Sequence, residues 1–249
     1  LGFAQDEEAS QAMVKAIFGE TVDEGDIARY GNDWLEIVED IRKEFNRMGG
    51  SISKNENFLL PQRHNLQKLK QAGYENWRNK ILPMLDRQKM LNDFNKPLTD
   101  EQLEEGLRNM FDSVVTGGLS KLEDFNVPRL GRKLSRRHSE RRFIYFKDAD
   151  SWIKYHNEFG EGTIYTTLTD YIETMANDIA VMRRLGPNPK STYDAVIAQA
   201  KLKGELTEFQ EARANALFDT VTGRINKGEM TTLADGFQTV RNVLTAAFL

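Results

Sequence analysis

Apolar residues recur at helical spacing along most of this 249-residue chain, and that period fixes the fold class. Trp34, Ile37, Val38, Ile41 and Phe45 lie three or four residues apart. So do Leu103, Leu107, Met110, Phe111 and Val114, and again Leu168, Tyr171, Ile172, Met175, Ile179 and Met182. Each such run puts one apolar stripe on one face of a helix, which must be buried against another helix. Glycine and proline mark the ends. The expected helices are Ala9–Phe18, Asp33–Met48, Asn65–Gln71, a further face from Tyr74 to Leu85 bent at Pro83, one starting at Thr99, then Asp148–Glu158, Thr163–Leu185, Ser191–Lys203, Thr207–Asn226 and Thr231–Leu249. Thr99 with Gln102, and Thr207 with Gln210, have the spacing of capping boxes. Gly186-Pro187-Asn188-Pro189 is the strongest breaker. The fold expected is mainly α, a bundle-like array of many helices with at most a short β element near 143–146. Phe143-Ile144-Tyr145-Phe146 is the strand candidate, and residues 51–60 are its expected partner.

Composition closes off several chemistries. The chain has no cysteine, so disulfides, thiolate metal sites and cysteine nucleophiles are excluded. No apolar run is long enough to span a bilayer. The start, LGFAQDEEAS, lacks the basic and apolar regions of a signal peptide. Leu249 closes the apolar run Val243–Leu249 with neither cap nor polar tail. With Leu1 as first residue, this predicts a piece of a longer polypeptide; a processed mature chain is the alternative.

Charge is distributed unevenly. The net charge is -4, yet Arg129, Arg132, Lys133, Arg136, Arg137, Arg141 and Arg142 fall in one short segment with a single acid, Glu140. That segment is a candidate contact for an anionic partner, such as a nucleic-acid backbone, a membrane surface or an acidic protein face. A solvated face paired with carboxylates elsewhere is the plainer reading. The pattern suggests an N-terminal helical lobe over 1–116, a basic loop or arm over 117–142 and a C-terminal helical lobe over 143–249, with a single intertwined domain as the alternative.

Catalytic patterns are sparse. His64, His138 and His156 show no zinc-ligand spacing, and no metal or cofactor is expected. Gly160-x-Gly162 is too short to cradle phosphate. Glu158 and Glu161 flank a glycine turn, where a wall-cleaving acid could sit only with a second carboxylate or a retained proton. Phe143, Tyr145, Phe146, Trp152, Tyr155 and Phe159 follow the basic segment. They are either a stacking platform for single-stranded nucleic acid or core residues, and the alternation in FIYF and the helical spacing of Trp152 and Tyr155 favour core.

A series of short runs in fixed order resembles a segment of the large internal virion proteins of tailed bacteriophages. It comprises Leu60-Pro61-Gln62-Arg63-His64, Gly73-Tyr74-Glu75-Asn76-Trp77, Leu82-Pro83-Met84-Leu85-Asp86, Thr116-Gly117-Gly118-Leu119 and His138-Ser139-Glu140-Arg141-Arg142. It continues through Phe146-Lys147-Asp148-Ala149-Asp150-Ser151-Trp152, Phe159-Gly160-Glu161-Gly162, Asp178-Ile179-Ala180 and Leu185-Gly186-Pro187-Asn188-Pro189. The resemblance covers roughly residues 55–249. It implies a non-enzymatic module, packaged in the phage head and ejected with the genome into the host envelope or cytoplasm, where it assists DNA delivery. The implied partners are DNA, other virion or ejection proteins and further copies of the chain. It brings no catalytic residues. Two alternatives remain: a nucleic-acid-binding module acting through residues 129–142, and a cell-wall hydrolase using Glu158 or Glu161.

Overall fold

The computed structural model describes residues 6–22, 25–55, 57–91, 96–116 and 144–222. Among them eight α-helices follow one another: α1 (Glu7–Ile17), α2 (Gly25–Arg47), α3 (Leu66–Ile81), α4 (Asp100–Val115), α5 (Ala149–Phe159), α6 (Ile164–Leu185), α7 (Pro189–Leu202) and α8 (Glu208–Val221). The mainly α expectation holds. None of these helices is long and apolar enough to cross a membrane. The expected helix at Thr231–Leu249 and the basic arm lie outside the described residues.

Local chemistry explains most helix ends. Thr99 and Thr207 each accept a hydrogen bond from the backbone N–H three residues on, and the Gln102 and Gln210 side chains return the bond, so both capping boxes form. Asp6 and Asp148 cap α1 and α5 in the same manner from carboxylates. Pro83 bends the chain after α3 by opening a 3-10 turn, Leu82–Met84. Gly73, at φ 71 and ψ 162, interrupts α3, as its glycine-only conformation requires.

α2 departs from expectation by beginning at Gly25 rather than Asp33. Gly31 is the reason. A Cβ there would stand 2.8 Å from the Ala16 Cβ and 3.1 Å from its carbonyl carbon. Gly31 thus lets α2 lie close against α1 at Ala16, and Ile27 and Trp34, buried on either side of it, extend the apolar stripe.

The β expectation holds in part. Phe146 forms an antiparallel bridge, but with Leu85 and not with residues 51–60. Asp86 N–H donates to the Tyr145 carbonyl at 2.8 Å and Lys147 N–H to Met84 at 3.0 Å. The 3-10 turn leaves Leu85 extended (φ -87, ψ 143), which presents its neighbours' polar groups to 145–147. The 51–60 segment reaches the same place through a side chain, Asn55 Nδ2 donating to the Tyr145 hydroxyl.

The described residues divide into two compact units, discontinuous in sequence: one of residues up to 42, 53–116 and 144–173, the other of 43–52 and 174–222. The first has the larger core. Trp77, Leu107 and Ala149 are wholly buried and Trp152, Tyr155 and Phe159 nearly so. Trp77 and Phe111 pack at 5.4 Å between ring centroids, and Tyr155 lies 5.1 Å from Phe146 and 5.5 Å from Phe159, spacings favourable for tilted rings.

The second unit contains the α7–α8 hairpin. Tyr193 stacks on Phe218 at 4.2 Å and its hydroxyl donates to Asn215. Lys201 pairs with Glu211 nearer the turn, which turns at Gly204 (φ 70). Leu202 and Phe209 flank that turn and are exposed. In the same unit Asn46 closes the loop after α2 by exchanging two hydrogen bonds with Ile52, at 2.7 and 2.8 Å, and Arg183 pairs with Glu44 at 2.8 Å.

Candidate functional site

Arg129, Arg132, Lys133, Arg136, Arg137, Arg141 and Arg142 all lie outside the described residues, as do His138 and Phe143. The other candidates fall in the first unit, around two backbone seams. At one, His64 bridges Gly160, with Asn65 N–H donating to Phe159 O at 2.8 Å and Glu161 N–H to Arg63 O at 3.3 Å. At the other, Leu85 bridges Phe146. Each seam joins two of the runs singled out in the sequence: 60–64 with 159–162, and 82–86 with 146–152.

A buried hydrogen-bond chain stands beside the first seam. Trp77 Nε1 donates to the Tyr155 hydroxyl at 3.1 Å, and that hydroxyl lies 3.0 Å from His64 Nδ1. The indole can only donate. The Tyr155 oxygen thus accepts from the indole on one side and meets the His64 ring on the other, where the direction of the bond follows the imidazole tautomer. Burial pushes the Tyr155 phenol far above its ordinary range, with the Trp77 bond opposing, so the hydroxyl keeps its hydrogen. Spacing on α5 places Tyr155 in the core; nothing in the sequence signals that Trp77 and His64, on α3 and the segment before it, converge on its oxygen.

His156 sits one helical turn before Gly160 and stacks on Trp152, ring planes 4° apart. It is 6% exposed. Burial holds its imidazolium pKa below the ordinary value; a hydrogen bond to the Gly162 backbone opposes and the Lys68 charge adds to the lowering. Lys68 itself donates to the Asn157 and Gly160 carbonyls at 3.3 and 3.2 Å, capping the C-terminus of α5 with a cation.

Glu158 is ion-paired with Lys80, and Glu161 is exposed. Arg63 likewise pairs with Asp170 on α6. No group of three or more histidines and acids among the described residues could hold a metal ion. A small cleft of about 20 Å³, lined by Phe58, Leu60, Gln62, Ile144 and Trp152 among others, has room for one water-sized guest.

The aromatics resolve towards core. Phe146, Trp152, Tyr155 and Phe159 are 2 to 4% exposed, too buried to stack on nucleic-acid bases, and Tyr145 is half-buried. What the arrangement does chemically is fasten: two seams, a buried hydrogen-bond chain and two lysine contacts hold four chain segments together.

Comparison with protein-family models, with curated proteins and with solved structures finds no match to this chain.

Proposed function

We propose that this chain is a non-enzymatic helical module of an internal virion protein of a tailed bacteriophage, carried in the head and ejected with the genome to assist DNA delivery. One observation carries the reading. The ordered runs on which the resemblance rests pair with one another in space, Arg63 with Glu161, His64 with Gly160, Met84 with Lys147 and Leu85 with Phe146. Runs that pair across such long stretches of chain behave as one fold signature rather than as separate coincidences. The helical build supports the reading too, since helices recover from unfolding and threading through mostly local contacts. The test is location in the particle. Antibody to this chain should label purified phage only after the capsid is opened, and a protease should spare the protein until then. Labelling and cleavage on intact particles would overturn the proposal.

A second reading, compatible with the first, is that residues 129–142 hold nucleic acid by phosphate contacts. The charge favours it: seven cations and one acid in a chain of net charge -4. Replacing Arg136, Arg137, Arg141 and Arg142 with Ala should weaken DNA binding alike across sequences. It should also flatten the logarithmic salt dependence by roughly 0.9 for each phosphate contact removed. Unchanged binding would remove this reading.

A further inference from the structure

We draw no further inference here: the strongest candidate, the apolar surface patch that Leu202 and Phe209 expose on either side of the turn of the α7–α8 hairpin, carries none because nothing in the structure shows what covers it.

Discussion

Trp77 and Tyr155, 78 residues apart in sequence, share a buried hydrogen bond of 3.1 Å from the indole N–H to the phenol oxygen. Through it α3 is tied to α5, and through the same oxygen both are tied to His64. Removing that oxygen alone keeps the ring and its packing. Tyr155→Phe leaves the buried Trp77 donor without its acceptor and breaks the contact with His64 Nδ1, and should cost about 1–3 kcal/mol in stability. Denaturant unfolding measures it. A loss indistinguishable from zero would mean that water or another group replaces the hydroxyl.

Gly31 and Ala16 are in closer approach than any side chain allows. Gly31→Leu should separate α1 from α2 and cost roughly 1–3 kcal/mol or more, despite the better helix propensity of leucine. At Gly25, where a Cβ would meet nothing within 4 Å, alanine should be harmless. Thermal melts of the two variants separate packing from propensity; equal melting temperatures would refute the close-contact account.

Thr99→Ala and Thr207→Ala each remove one half of a formed capping box. Each should cost about 1 kcal/mol. Since both caps are exposed, the effect should appear as lost amide protection at Gln102 or Gln210, confined to the first turn. Loss spread over α4 or α8 as a whole would show that the cap controls more than its own turn.

The Tyr74–Glu104 pair gives opposite signs at opposite ends of the pH scale. Burial first, then the bond to Glu104, raises the Tyr74 phenol to about 12. The neutral phenol is favoured in the fold, so its contribution is full below the ordinary tyrosine value near 10 and is lost as pH rises towards about 12. Bonds from Tyr74 and Arg78 lower the Glu104 carboxyl. Its contribution is full above the ordinary carboxylate value and is lost as pH falls through the lowered one. Tyr74→Phe should therefore flatten the alkaline limb of the stability profile and weaken the acid limb as well, since its hydroxyl is the first cause of the Glu104 lowering. Glu104→Gln should flatten the acid limb and leave most of the alkaline one, where burial of Tyr74 is the larger cause. An acid limb unchanged in Tyr74→Phe would contradict the pairing.

Helix spacing and end chemistry made much of the fold legible. Thr99, Thr207 and Gly186-Pro187 mark ends that the structure keeps, because caps and breakers act within a few residues. Long-range partnerships were not legible. Nothing local to Gly31 signals that Ala16 packs against it, and the partner of Phe146 is Leu85 because the 3-10 turn at Pro83 delivers it there. Two of the boundaries between the units, after residues 42 and 173, fall inside α2 and α6, at points no glycine or proline marks. Of the candidate site, the core character of Trp152 and Tyr155 followed from spacing. The convergence of His64, Trp77 and Tyr155 did not, since it depends on the packing of α3 against α5.

The functional proposal stands or falls on movement. Peptides of this chain should be counted by mass spectrometry in full particles and in particles emptied of genome in the presence of host cells. The proposal predicts that the chain is present in full particles, depleted from emptied ones along with the DNA, and recovered in the host envelope or cytoplasm. Retention in emptied particles at the full-particle ratio, or absence from full particles, would contradict it.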